Sequence, residues 1–344
     1  MENKENIIVC DCLADELLLF QEGINSGEEK FEIKSYVANW KRTGAYSEFK
    51  RYFKYFAVAW KFFRKRKKYN KIVGWQQFYA LIFCFYCSIF RVKKNNTVAA
   101  LNFTYKEKLG FFGKIYFWFM KKCINPKYLD YLHVPSQSYA EKVSKTFDFP
   151  LERIIVLTFG INDPYDSFSK MAKPESAPVS GYALAIGRSN RDFDFLISAW
   201  ENIEYPLVII SDTYAGNNGE NKNIKIIKNV AGEESYPWIA NCALAIIPID
   251  DGSICSGDTV LLTSLAMKKK ILITMPSTLS EMYIVSGENG ISSFKDKAVF
   301  EAFAKDLLFT DKYDYLQEAA RKCYLNNYSR ESMGKKVRTF ILDK

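Results

Sequence analysis

Two series of short apolar runs, separated by longer stretches with helical spacing, constrain this 344-residue chain more than any other feature. In the first half NIIVC (6–10), FEIKSYV (31–37), KIVGW (71–75), TVAALNF (97–103), YLHVP (131–135) and RIIVLTF (153–159) read as strands, with helical patterns such as 138–147 between them. A polar stretch rich in Pro, Ser and Lys, 162–181, has no useful periodicity. The pattern then restarts with YALAIG (182–187), PLVIIS (206–211), NIKIIKN (223–229), CALAIIPI (242–249) and KILITM (270–275). Helices are expected between and after these, over 192–202, 233–241, 258–268, 296–308, 312–325 and 329–342. Strand–helix alternation of this kind predicts βα units and mostly parallel sheets. The expected fold class is α/β, with two Rossmann-like domains facing across a cleft. The expected boundaries are a first domain over 1–160, a connection over 161–181, a second domain over 182–328, and a last helix over 329–344 that can return to the first domain.

Charge divides the chain in a different way. The formal net charge is +9, but residues 41–124 hold 20 Lys/Arg against two acids, Glu48 and Glu107, while the remainder is net acidic. The same window carries 25 of the 55 aromatic residues. Such segregation speaks of partners rather than of fold. The start, MENKENIIVCDC, lacks the features of a secretory signal, so a reducing compartment and free thiols are expected for the eight cysteines. Cys84 and Cys87 form a CxxC inside the apolar run FYALIFCFYCSIF (78–90), and Cys10 and Cys12 alternate on the first strand; both pairs read as structural. That run falls short of the ~20 residues needed to span a bilayer and reads as a buried helix.

Open α/β sheets bind ligands at the carboxyl ends of their strands. In AIGRSNRDFDFLISAW (185–200) a strand ends at Gly187, and Arg188 and Arg191 follow before a helix. Two guanidinium groups there can hold phosphate oxygens, and as cations at a helix start they call for an anion or an acid such as Asp192. In IPIDDGSICSGDTVLLTSLAMKKKILIT (247–274), Ser256, Gly257, Asp258 and Thr259 open an apolar helix whose amide groups can bind a phosphate or a ribose hydroxyl, with Ser256 as a candidate N-cap. A Gly-x-x-Gly turn in SEMYIVSGENGISSF (280–294) returns the chain to a strand.

Taken in order, these segments resemble the C-terminal half of GT-B-fold glycosyltransferases, most closely the family 4-like group. The resemblance begins at VPSQSYAEKVSKTFDFPLERIIVLTFGIND (134–163), with its Gly160-Ile161-Asn162 turn, and runs to about residue 330. Arg188 and Arg191 match the family's diphosphate-binding pair, with a loop two residues shorter. EESYPWIANCALAIIPI (233–249), SGDTVLLTSLAMKKKILIT and MYIVSGENG follow in the family's order. Two glutamates common in the family fall in register on Cys255 and Thr263, so ribose binding would pass to Ser256, Asp258, Thr259 or backbone amides. The family's frequent histidine after the fourth strand is replaced by LNFTYKEK (101–108), and the single histidine, His133, reads as a structural residue on the fifth strand.

The resemblance implies a glycosyltransferase taking a nucleotide-diphospho-sugar, first of all a UDP-sugar, with no cofactor and no metal. Asp11 and Glu107 are the first candidates for a catalytic acid or base among the acids after first-domain strands, Asp15 and Glu16 being the others. A same-fold epimerase or hydrolase on a soluble substrate, and a non-catalytic binding subunit, are the alternatives. The stretch FKRYFKYFAVAWKFFRKRKKYNK (49–71) places Phe49, Tyr52, Phe53, Phe56, Trp60 and Phe63 within one helical arc, flanked by Tyr55, Ala59 and Phe62, and KEKLGFFGKIYFWFMKKC (106–123) echoes its composition. An acceptor domain serving lipid-linked saccharides would use Lys50, Lys54, Trp60, Lys61, Lys65 and Lys68 against an anionic membrane surface. The expected setting is cytoplasmic, peripheral to the inner face of the plasma membrane, with no nucleic-acid partner.

Overall fold

The computed structural model describes residues 4–38, 44–216, 221–252 and 256–342, with backbone alone for 44–48. The chain forms two compact units, 1–159 with 330–344, and 160–329.

The first unit is a six-stranded parallel sheet. Along the chain it runs β1 (Glu5–Cys10), α1 (Leu18–Ile24), β2 (Phe31–Ser35), α2 (Gly44–Arg64), β3 (Tyr69–Gly74), α3 (Gln77–Ile89), β4 (Thr97–Ala100), α4 (Gly110–Cys123), β5 (Tyr131–Val134), α5 (Gln137–Phe147) and β6 (Ile154–Val156). The strand order is β2-β1-β3-β4-β5-β6. Because side chains alternate across a strand, Ile7 and Val9 enter the core under α2 to α5, while Ile8 and Cys10 enter the core on the other face with α1. The apolar run 78–90 is α3, buried on most of its circumference. Burial pushes the Cys87 thiol up to about 12 and raises the Cys84 thiol well above its ordinary value, as in cysteines that act as small apolar fillers. No described helix is long and apolar enough to cross a membrane.

α2 sits differently from the helical-wheel expectation. The residues that reach the core are Tyr55, Val58, Ala59, Phe62 and Phe63, whereas Phe49 and Phe53 are exposed and Trp60 lies at the surface against Tyr86 and Phe90. The helix is thus turned roughly a quarter turn from the arc with most rings. The physical reason is its packing partner: Tyr55 packs on Phe78 and Tyr79 of α3, while Phe56 of the other arc reaches Tyr86 on α3 and Phe119 on α4.

His133 on β5 is buried and holds two strand ends together. Its Nδ1 accepts from the Asn102 amide at 3.0 Å and its Nε2–H donates to the Leu157 carbonyl at 2.9 Å. Burial pushes its pKa down to about 4 from an ordinary 6.5. The unfolded chain therefore takes up the proton first, so stability is full above about 6.5 and falls as pH drops toward 4. Urea unfolding at pH 7 and pH 4.5 should show wild type losing on the order of 2–3 kcal/mol through this group, and His133→Gln should lack that component. An identical pH dependence in the two proteins would remove His133 as the cause.

The second unit repeats the architecture without repeating the sequence. After the single turn α6 (Tyr165–Phe168) come β7 (Ala183–Ile186), α7 (Phe193–Ala199), β8 (Leu207–Ile210), β9 (Ile224–Ile227), α8 (Tyr236–Asn241), β10 (Leu244–Ile247), α9 (Asp258–Ala266), β11 (Lys270–Met275), α10 (Thr278–Tyr283), β12 (Ile291–Phe294), α11 (Lys297–Phe309) and α12 (Leu316–Asn327). The sheet is parallel in the order β12-β11-β10-β7-β8-β9. Arg321 on α12 braces the entry to the unit by a bidentate pair with Asp163 at 2.6 and 2.7 Å.

The final helix, α13 (Arg330–Leu342), belongs to the first unit. Met333, Val337 and Ile341 join the core that contains Leu17, Phe20 and Ile24. Gly23 on α1 and Gly334 on α13 meet backbone to backbone, and a Cβ on Gly334 would lie 2.8 Å from the Ile24 nitrogen.

Candidate functional site

In the second unit the chain starts at β7, winds outward through β8 and β9, and then crosses to β10 on the other side of β7. The loops leaving β7 and β10 therefore diverge and open a crevice at their carboxyl ends, the position at which open α/β sheets take ligands. Asn190, in left-handed backbone at φ 55°, ties the two loops together. Its Oδ1 accepts from the Asp251 amide at 2.6 Å, and its Nδ2 donates to the Asp251 carbonyl at 3.0 Å and to Ser256 Oγ at 3.1 Å. The Asp192 amide donates to the Pro248 carbonyl at 2.9 Å, and Arg191 and Ile249 form an antiparallel bridge.

Arg191 lies at the centre of this arrangement. Gly187 and Gly257 flank its side chain: a Cβ on Gly187 would lie 2.6 Å from Arg191 Cγ, and one on Gly257 would overlap Nη2. Gly257 is at φ 101°, a region that L side chains avoid. Among the described residues the guanidinium donates to carbonyls, those of Asn190 at 3.0 Å, Ile186 at 3.3 Å, and Ser189 and Ser256 at 3.4 Å. Among the described residues no carboxylate forms an ion pair with it, although Asp258 lies close enough to favour its charge. Burial pushes its pKa down to about 10, so it remains a cation at neutral pH. A half-buried cation whose bonds go mostly to distant neutral acceptors is incompletely compensated, and an anion at this place would be favoured.

Gly257→Ala should disturb this site with little change in fold. The added methyl displaces Arg191 and strains the backbone by about 1–2 kcal/mol. Pyrophosphate titration should show at least about a tenfold loss of affinity with the thermal midpoint lowered by a few degrees. Unchanged affinity would mean that Arg191 does not reach the anion.

The crevice is a cavity of about 480 Å³. Ile210, Val230, Ile239 and Val260 form an apolar side, and Arg188, Arg191, Ser256 and the start of α9 form a polar side. This combination suits a planar ring system joined to a phosphate chain. Of the residues singled out in the sequence, Gly187, Arg188, Arg191, Ser256, Gly257 and Thr259 line the cavity, and Asp258 does not. Ser256 is not the N-cap of α9; Gly257 takes that position because the Ser256 hydroxyl is turned to Asn190. Asp192 caps α7 through the Phe195 amide at 3.0 Å and pairs with Lys295 at 2.7 Å, which accounts for the helix start beside two arginines. Arg188 is exposed and lies 3.5 Å from Asp212.

Several lining residues escape sequence reasoning. Ser211 and Asp212 follow β8, and the strand-end rule that picks out Arg188 would also reach them. Tyr236 and Gly232 enter from the segment after β9. Thr263, the position in register with a family glutamate, is fully buried on α9, lines the cavity, and its Oγ1 has no hydrogen-bond partner among the described residues. Cys255, the other such position, lies outside the described residues.

The two catalytic candidates sit in the first unit. Asp11 follows β1 at that sheet's own switch point, between β1 and β3, and accepts from Tyr55 Oη at 2.8 Å, while Gln76 Nε2 donates to the same Tyr55 oxygen at 3.1 Å. Glu107 is exposed in the loop before α4 and lines a cavity of about 340 Å³ with Lys108 and Lys114. Of the membrane candidates, Lys50, Lys61, Lys65 and Lys68 are exposed, Trp60 is partly so, and Lys54 is half-buried and donates to the Val37 carbonyl at 2.6 Å.

No family model matches the sequence, and no curated protein matches it. Solved structures do match over nearly the whole chain. A glycosyltransferase from Rickettsia africae ESF-5 aligns at a TM-score of 0.65 and 14% identity, covering 99% of this chain and 100% of that one. Anabaena HepE in complex with UDP aligns at 0.61 and 11%, covering 99% and 100%. The lipopolysaccharide outer core galactosyltransferase WaaB, in its apo form, aligns at 0.61 and 12%, covering 98% and 99%. The chain has the GT-B fold, two Rossmann-like domains each built on a parallel six-stranded sheet.

Proposed function

We propose that this chain is a glycosyltransferase that moves a sugar from a nucleotide-diphospho-sugar, a UDP-sugar first, to a saccharide acceptor carried on a membrane lipid. The observation that carries the reading is Arg191: a half-buried, carbonyl-bound cation between two glycines, beside the start of α9, at the switch point of the second sheet. The diphosphate would lie against Arg191 and Arg188 at the start of α9, where the Thr259 amide donates to Asp258 Oδ1 at 3.1 Å and would have to leave it to reach a phosphate oxygen. The base would occupy the apolar side near Val230 and Ile239. The unpartnered Thr263 hydroxyl and Ser256 would serve the ribose. HepE, solved with UDP, and WaaB, named as a galactosyltransferase, support the substrate class by fold.

Transfer breaks the bond between the anomeric carbon and the diphosphate oxygen, and the departing group leaves with increased negative charge. Two guanidinium groups and a helix N-terminus can stabilise that charge, so turnover is proposed to need no metal. The acceptor hydroxyl loses its proton as the new bond forms. Asp11, hydrogen-bonded to Tyr55, is the better placed of the two candidate bases, because it stands at a sheet switch point whereas Glu107 stands in an exposed loop. The proposed setting is the cytoplasmic face of the plasma membrane.

The test is release of nucleotide from a panel of UDP-sugars, with and without lipid-linked saccharide acceptors and with and without chelator. The reading predicts acceptor-dependent release that chelation leaves intact. Acceptor-independent release would favour a hydrolase, and binding without release would favour a non-catalytic subunit.

A further inference from the structure

The most exposed apolar surface of the first unit is on α4 and the turn that enters it. Leu109 is 91% exposed, Phe111 72%, Phe112 81%, Ile115 48% and Trp118 50%. Two glycines produce this. Gly110, at φ 74°, reverses the chain, and Gly113 lets the Lys108 carbonyl pack where a Cβ would otherwise sit. The turn therefore folds back on the first helical turn and directs Leu109, Phe111 and Phe112 into solvent. The other end of α4 is fastened: Met120 and Cys123 are buried, and Phe119 packs on Phe85 at 5.0 Å and Phe56 at 5.7 Å. A helix held at one end and apolar at the other is not accounted for by folding.

The surroundings of the patch are net cationic. α4 contains no acid, and Lys106, Lys108, Lys114, Lys121 and Lys122 lie around its apolar face against the exposed acid Glu107 in the entering turn. Lys121 and Lys122 also line a cavity of about 360 Å³ with Trp118, Asn125 and the acid Asp148. Protein–protein interfaces are depleted in lysine, whereas aromatic and aliphatic side chains ringed by lysine suit an anionic bilayer surface. Nucleic acid would use the rings for stacking but has no use for Leu109 and Ile115.

We infer that α4 and its entering turn are the membrane-docking element of this chain, with Leu109, Phe111 and Phe112 inserted below the headgroups of an anionic bilayer and Lys114, Lys121 and Lys122 at the level of the phosphates. The exposed lysines of α2 then supply long-range attraction, and α2 itself remains a core helix. The lipid contact is independent of the sugar-transfer reading, because it involves no residue of the second unit.

The experiment is co-sedimentation of the full chain with phosphatidylcholine vesicles containing or lacking phosphatidylglycerol, with UDP titration as a control for fold and donor site. Wild type should bind the anionic vesicles at least about tenfold more tightly than the neutral ones. Phe111→Ser with Phe112→Ser should lose about tenfold or more in vesicle affinity. Lys114→Gln with Lys121→Gln and Lys122→Gln should lower binding to the anionic vesicles alone, and UDP affinity should match wild type in both variants. Absence of wild-type binding, or wild-type binding retained by the phenylalanine variant, would overturn the inference. So would a mass measurement showing that the patch is covered by a second copy in solution and that the serine variant is monomeric.

Discussion

Arg191→Ala should lower the rate of sugar transfer by roughly 10²–10³-fold, the loss typical of removing one preorganised donor from a developing negative charge. The geometry gives this position no substitute. Arg188 is exposed and shared with Asp212, so its charge is screened and its position is not fixed by packing. Arg191 is fixed by two glycines and four carbonyls, and its charge acts from within the protein. Arg191→Lys should recover only part of the loss, because a single ammonium cannot span the carbonyls and a diphosphate together. The fold should survive, since Arg191 is half-buried at a cavity wall and its removal frees a few carbonyls to water without opening the core. A variant with wild-type turnover would mean that the leaving group departs elsewhere.

Gly334→Leu should be the most damaging single change to stability in the first unit, at about 3 kcal/mol or more. α1 and α13 cross with Gly23 and Gly334 in backbone contact, and a side chain at Gly334 would enter the space of the Phe20 carbonyl and the Ile24 nitrogen. The helices would have to separate, exposing Met333, Val337 and Ile341 from the core they share with Phe20 and Ile24. Thr339→Ala, on the exposed side of α13, should change stability by no more than about 0.5 kcal/mol. Urea unfolding of the three proteins measures this. Equal midpoints for wild type and Gly334→Leu would show that α13 is not held by this crossing.

The strands were largely legible because a parallel sheet covered on both faces needs uninterrupted apolar runs, and LAII in β10 or LVII in β8 could be little else. The residues proposed to meet the diphosphate were legible as a cavity lining for a related reason: Arg191 follows a recognisable strand and Gly257 precedes a recognisable helix. Asn190 was not, because its partners Asp251 and Ser256 are more than sixty residues away and only the folded sheet brings the loops together. Thr263 was visible only as a departure from a family pattern. Its lack of a partner depends on the cavity, which the sequence does not show. The orientation of α2 was misjudged since rings occupy most of its circumference, and a wheel cannot choose between two apolar arcs. On α4 the exposed turn was not legible, because it depends on the backbone of Gly110 at φ 74° and on the Lys108 carbonyl packing against Gly113.

Calorimetric titration of UDP, UMP and uridine into wild type and Arg191→Ala tests whether Arg191 recognises a diphosphate attached to a nucleoside. Wild type should bind UDP at least about a hundredfold more tightly than uridine, and Arg191→Ala should remove most of that preference while its weak uridine binding is unchanged. Equal affinities of wild type for UDP and uridine, or a preference for UDP that persists in Arg191→Ala, would contradict that recognition.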